Sequence, residues 1–553
     1  MVITGARKQT MSVAKKARLF TLPKNVLQRS HLLIGTLIFL IALGFNCYHL
    51  GTASLWFDEA YSVELVRHPF SQVWAILFAW QPNMELYYLF LYSWLHLLAL
   101  FGWPATEFAV RFPTAVFAAL SAVVVFALGR RFISTGAGIL GALLYLLNPH
   151  ELIYAQQTRA YSLQLFLLCL SWYVLFSALK SKQRWSKYWL GFAIVMILAI
   201  YTHLMSGMML ITQVIFVGGL LLVPNWRTAI WPRLLPFVGS LVIIALGLLP
   251  LVPVLRHGDP TFNWLTTPHL HDMYWIFQVI TGANRWYLCI TVVSMLLGLL
   301  IIGLSIVRRT SHGRAWLAKQ VERRPVLDDL LSHEYSGMVI WGLLCWLFIP
   351  IILSYIVSQT KVHIFSERYL VVIIPAFCLL VGLGVATLRS RTLPLRAVQV
   401  VLAVFLLSWA LQLAGTYYPG AQIEDWRSAA TWVMGHYQQN DGLVCYDNNQ
   451  GCQVSMDYYF QTYPQSGAHF AADTPGATLF WTSAILGNSK EAVSSGIVST
   501  YAAKYQHLFY ITGHAPESEV RGIWQWLDQH YRLIGEMHTN TGISVRLYEI
   551  RSQ

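Results

Sequence analysis

The sequence predicts a mainly α-helical polytopic membrane protein with a small α/β domain at its C-terminal end, and three observations carry that prediction. Of 553 residues, 56% are hydrophobic and only 11% are charged, a balance far from that of a water-soluble domain. Apolar runs of ~20 residues, the length a helix needs to cross a bilayer, recur from residue 31 to 417. Charge then divides the chain: residues 417–553 hold 7 Lys and Arg against 12 Asp and Glu, whereas the 416 before them hold 31 against 13. A basic excess in loops flanking apolar runs belongs to a membrane surface, so nucleic acid is not an expected partner.

The elements follow in order. Residues 1–30 carry Arg7, Lys8, Lys15, Lys16, Arg18, Lys24 and Arg29 and no acid, which reads as a cytoplasmic N-terminus. The run 31–50 is longer than a signal-peptide core and lacks a small-residue cleavage site, so it is an uncleaved anchor. Residues 51–111 have acids and few bases and form the first outer loop. Runs at 112–128, 136–152, 163–179, 188–200, 207–223, 235–255, 286–307, 338–357, 369–388 and 398–417 then alternate across the membrane. They put Arg130-Arg131, the cluster 180–187, Arg227, Arg233 and the loop 308–329 inside. The expectation is about eleven spans over 31–416 in a multi-pass protein of the cell (plasma) membrane. The stretch 86–101 is short, and counting it as a span would send Arg130-Arg131 outside. It reads as a juxtamembrane or re-entrant helix, with a twelfth span as the alternative.

Residues 417–553 form an extracytoplasmic α/β domain. Turn-rich segments at 438–442 and 448–451 separate β-rich runs at 443–446, 507–512 and 544–550, and a helix is expected near 519–530. Cys47, Cys169, Cys289, Cys345 and Cys378 lie singly in apolar runs as inert thiols. Cys445 and Cys452 flank a turn on the oxidising side, where a disulfide or two free thiols both fit their spacing.

Carboxylates are scarce, which makes Asp58 and Glu59, in Leu55-Trp56-Phe57-Asp58-Glu59-Ala60-Tyr61, the first candidates for chemistry. The predicted topology gathers them at the outer face with Glu64, Glu85, Arg159, His203, Arg256, Asp259, Arg285, Lys361, His363, Glu367 and Arg368. An acid among cations suits a reaction whose leaving group is an anion tethered in lipid. The carboxylate deprotonates an acceptor hydroxyl while Arg and Lys neutralise the departing phosphate. That describes glycosyl transfer from a polyprenyl-phosphate sugar. No Gly-rich phosphate loop speaks for a nucleotide-sugar enzyme. A membrane transporter or a catalytically degenerate scaffold is the alternative, but ionisable groups at span centres and matching interrupted repeats are not evident.

Gln81-Pro82-Asn83-Met84-Glu85-Leu86-Tyr87-Tyr88-Leu89, Arg111-Phe112-Pro113, Asn148-Pro149 through Tyr154-Ala155-Gln156-Gln157-Thr158-Arg159-Ala160-Tyr161-Ser162, and Tyr201-Thr202-His203 together carry a resemblance. The chain resembles the bacterial dolichyl-phosphate-mannose protein mannosyltransferases and the aminoarabinose lipid A transferases, both GT-C membrane glycosyltransferases. The segment from Lys361 to Arg368-Tyr369 and Glu424-Asp425-Trp426-Arg427 are similar too. The resemblance implies a GT-C fold and inverting sugar transfer from a polyprenyl-phosphate donor to a lipid, glycan or protein acceptor. It implies Asp58, with Glu59 beside it, as the base, and Arg159, Arg368 and Tyr369 as donor-phosphate ligands, to which the outer-face topology adds Lys361. His203 would be a donor contact or a metal ligand. No cofactor is assigned, and a divalent metal ion is left open. Relatives often read Gln-Glu-Ala-Arg where this chain has Gln156-Gln157-Thr158-Arg159, so one expected carboxylate is missing, and Glu85 offers one from another direction.

Overall fold

The computed structural model describes residues 24–79, 83–255, 265–308, 330–331, 336–389, 392–446, 451–471, 474, 494–513 and 517–550. The basic residues of 1–18, Gln81, Pro82, Arg256, Asp259 and the loop 309–329 lie outside the described residues. The chain runs through α1 (Lys24–Cys47), α2 (Phe57–Arg67), α3 (Phe70–Ala79), α4 (Glu85–Leu100) and α5 (Glu107–Phe132). Next come α6 (Thr135–Leu146), α7 (Pro149–Ala155), α8 (Tyr161–Lys180), α9 (Lys187–Thr202), α10 (Ser206–Leu222) and α11 (Pro224–Gly247). The bundle ends with α12 (Leu270–Ile280), α13 (Arg285–Val307), α14 (Gly337–Ser358), α15 (Glu367–Thr387) and α16 (Leu393–Gly415).

Among the described residues, eight of these helices are long and apolar enough to cross a membrane: α1, α5, α8, α11, α13, α14, α15 and α16. α6, α9 and α10 are apolar but shorter. The run 136–152, expected as one span, is instead two helices. Asn148 ends the first by capping the second: its Oδ1 accepts the His150 and Glu151 N–H groups at 3.1 Å each, and Pro149 takes the first helical position.

α15 is the axis of the bundle, with its spanning stretch wholly buried. Small residues permit this. A Cβ on Gly384 would lie 1.9 Å from the Ser294 carbonyl oxygen of α13, and one on Gly382 would lie 2.8 Å from that of Ala137 on α6. Any side chain there would push the helices apart. The buried axis brings Arg368 and Tyr369, at its first turn, to one end of the bundle.

The tail contains α17 (Trp426–His436), β1 (Gly442–Tyr446), α18 (Gly451–Thr462), α19 (Ser495–Ala502), β2 (His507–Thr512), α20 (Glu517–His530), β3 (Arg532–His538) and β4 (Ser544–Glu549). Its sheet has the order β1-β2-β4-β3, with β1 and β2 parallel and the other pairs antiparallel. Cys445 and Cys452 form a disulfide with their Cα atoms 5.9 Å apart. One face of the sheet packs on α17 and α18, and that apolar core continues into the bundle: Leu55, Ala60, Val63 and Val110 share it with Trp426, Ala430 and Tyr459.

Candidate active site

α2 sets the site. Asp58 and Glu59 occupy its first turn, where the helix dipole favours carboxylates. At ~3.6 residues per turn, adjacent side chains diverge by about 100°, and the two acids meet different fates.

Glu59 turns inward and is fully buried. Its Oε1 accepts from Arg111 Nε at 2.8 Å and from the Thr158 N–H at 2.7 Å, and its Oε2 accepts from Arg111 Nη2 at 2.6 Å. Arg111 also donates to the Leu50, Ala53 and Ser54 carbonyls. Glu59 is thus committed to fixed donors that hold α2 against α5. This corrects the expectation that it stands beside Asp58 as a second reacting acid.

Asp58 turns toward the cleft. Its Oδ2 lies 3.7 Å from Arg159 Nη2 and 3.5 Å from Arg368 Nη1. These are ion-pair distances, too long for strong hydrogen bonds. Arg159 is fixed by donating to the Asp58 backbone oxygen and to Ser62 Oγ, each at 3.1 Å. The Arg368 guanidinium lies 5.3 Å above the Trp56 ring, a cation–π contact that orients it.

A row of rings lines this cluster. Tyr154 packs on Tyr161 with centroids 4.7 Å apart, Tyr161 on His203 at 5.5 Å, and His203 on Tyr369 at 5.5 Å. His203 Nδ1 accepts the Met205 N–H at 3.2 Å, which leaves the hydrogen on Nε2, a buried donor with no partner among the described residues. Burial, and then the Arg159 charge, push its pKa down to about 3, so the ring is a neutral donor.

Several members of the expected set do not join. Lys361 is exposed in the loop before α15 and makes no ion pair among the described residues. His363 pairs with Thr267 Oγ1 at 3.2 Å. Glu85 is buried at the start of α4, its carboxylate meeting no other side chain in a hydrogen bond among the described residues, and burial pushes its pKa up to about 8. Gln157 lines a cavity of about 140 Å³ with Trp56, Glu59, Arg111 and Tyr417.

Arg111 and Tyr161 had no role assigned from the sequence. An arginine inside an apolar span needs a carboxylate partner, and that signal would have found Glu59.

Residues 81–255 match the family described as dolichyl-phosphate-mannose-protein mannosyltransferase. ArnT from Cupriavidus metallidurans bound to undecaprenyl phosphate superposes with a TM-score of 0.54 over 93% of this chain and 97% of that one, at 13% identity. The chain shares the fold of this ArnT. The apo form of the same ArnT gives a TM-score of 0.53 at 11% identity, again over 93% and 97%. The archaeal oligosaccharyltransferase AglB from Archaeoglobus fulgidus, in complex with an inhibitory peptide and a dolichol-phosphate, gives 0.48 at 12% identity, over 94% of this chain and 74% of that one. Sequence comparison with curated proteins finds no match.

No three His, Cys, Asp or Glu side chains converge to hold a metal ion among the described residues. His203 faces two tyrosines and Arg159, whose charge repels a cation. A divalent ion finds no such ligand set among the described residues.

Proposed function

We propose that the protein transfers a sugar from a polyprenyl-phosphate donor to an acceptor hydroxyl at the extracytoplasmic face, with inversion. The observation that carries this reading is the placement of one carboxylate, Asp58, between the guanidinium groups of Arg159 and Arg368 at 3.7 and 3.5 Å. An incoming phosphate takes the fork donors of Arg159 and Arg368, which suit its oxygens, and leaves Asp58 free to act as base. The acceptor oxygen then attacks the anomeric carbon as Asp58 takes its proton. The bond from that carbon to the phosphate oxygen breaks, and the electron pair leaves on the polyprenyl phosphate between the arginines. A single displacement inverts the anomeric centre.

His203 Nε2–H and the tyrosine row are assigned to the sugar in this reading. Lys361, exposed seven residues before Arg368, is assigned to the lipid surface and not to the phosphate. The Cys445–Cys452 disulfide supports an extracytoplasmic tail, since such bonds persist in oxidising compartments.

The test uses purified protein in nanodiscs with radiolabelled polyprenyl-phosphate sugars. Asp58→Asn should reduce transfer by ~10²–10⁴-fold, the contribution of a general base, with donor binding retained. Near-normal turnover would remove Asp58 from that role.

A further inference from the structure

The helix that carries Asp58 starts without a cap of its own. Trp56 holds the N-cap position and makes no side-chain cap hydrogen bond, yet the first N–H groups of a helix need outside acceptors. The tail supplies one. Glu424, buried just before α17, accepts the Phe57 N–H at 2.8 Å and the Trp426 indole N–H at 2.5 Å on the same oxygen, Oε2.

Neighbouring tail residues bind the segment leading into α2 group by group. Gln422 Oε1 accepts the Ser54 N–H at 2.9 Å, and the Tyr459 hydroxyl accepts the Leu55 N–H at 3.0 Å. Arg427 donates to the Gly51, Thr52 and Ala53 carbonyls and pairs with Glu107 at 2.7 Å. The carboxylate at the helix start is also favoured by the dipole.

We infer that Glu424 is a positioning residue of the catalytic centre, which through the first turn of α2 sets where the Asp58 carboxylate stands against Arg159 and Arg368. The inference rests on Asp58 being the base. Phe57 precedes Asp58 directly, so a slack first turn moves the carboxylate before anything else, and a displacement of about 1 Å in a reacting group lowers turnover by ~10²-fold.

The test pairs hydrogen exchange with kinetics on the full-length protein, using the polyprenyl-phosphate sugar that proves to be its donor. Glu424→Asp withdraws the carboxylate by one methylene while keeping its charge. It should speed amide exchange over residues 57–60 and lower kcat by roughly 10²-fold with donor KM unchanged. Glu424→Gln, which keeps an acceptor oxygen at full length, should recover slow exchange and most of kcat. Gln461→Ala removes a tail contact to Glu64 near the other end of α2 (2.9 Å) and should alter neither readout.

Unchanged exchange and kcat in Glu424→Asp overturn the inference, as does an equal loss of kcat in Gln461→Ala, which would mark general tail docking. If Asp58→Asn keeps full turnover, the base assignment fails, while fast exchange in Glu424→Asp would still establish the cap.

Discussion

Glu59→Gln separates the two adjacent acids by what each is bound to. Glutamine is nearly the same size and keeps one acceptor oxygen, but it removes the charge opposite Arg111, which is buried at 4% exposure. Two guanidinium bonds of 2.8 and 2.6 Å end on the carboxylate, and a third donor, the Thr158 N–H, shares it at 2.7 Å. The amide nitrogen must now face a donor, so at least one of the three bonds is lost and Arg111 stays buried without its counter-charge. Removing one partner of a buried pair destabilises by ~3–5 kcal/mol, and the remaining acceptor places this variant near the lower end, about 3 kcal/mol. Thermal unfolding in nanodiscs should show a clear drop in midpoint, with transfer measured well below that midpoint reduced only modestly. Asp58→Asn should do the reverse, leaving the midpoint in place and removing turnover. A Glu59→Gln protein with wild-type thermal stability and no activity would refute the division of roles.

Arg159→Lys and Arg368→Ala should each raise the donor concentration needed for half-maximal rate by about tenfold to a hundredfold, the value of one charged hydrogen bond; a defect confined to one acceptor would move the phosphate site elsewhere. Burial raises the Glu85 pKa from 4.5 to about 8, so its neutral form favours the fold: that contribution is complete below pH 4.5 and is lost as pH rises through about 8. Glu85→Gln should therefore flatten the fall in unfolding midpoint across that window, and an unchanged slope would show the carboxyl to be solvated. Replacing Cys445 and Cys452 with Ser removes a short covalent loop and should destabilise the tail by about 2 kcal/mol, read as earlier loss of β-sheet signal on heating.

The apolar runs were legible because hydropathy over a bilayer's thickness is a strong local signal, and the axis α15 lies where one was expected. The break between α6 and α7 was not read, although Asn148-Pro149 is a helix start in its own right; the apolar residues on both sides masked it. In the tail, β1, β2 and β4 are buried and read as strands, whereas β3 is largely exposed, so its Arg532-Leu533-Ile534-Gly535-Glu536 carries no alternating pattern. Asp58, Arg159 and Arg368 were legible as a charge set at one face. The inward turn of Glu59 was not, because it depends on Arg111, 52 residues away. Lys361 was grouped with the arginines by topology alone, and sharing a face does not bring a side chain within reach.

The link between Phe57 and Glu424 spans 367 residues, and that has a consequence for how the protein is made. Residues 51–111 leave the ribosome early, but the acceptor that caps α2 appears only after the last spanning helix has been synthesised. At about 5–20 residues per second, the gap is roughly 20–70 s. For that interval the helix that bears Asp58 has an open first turn, and Leu55, Ala60 and Val63 lack the partners that later bury them. A chain that stalls or loses its tail therefore stops with an incomplete centre and an apolar face exposed. Synthesis of Glu424 and closure of the first turn that bears Asp58 are thereby tied together.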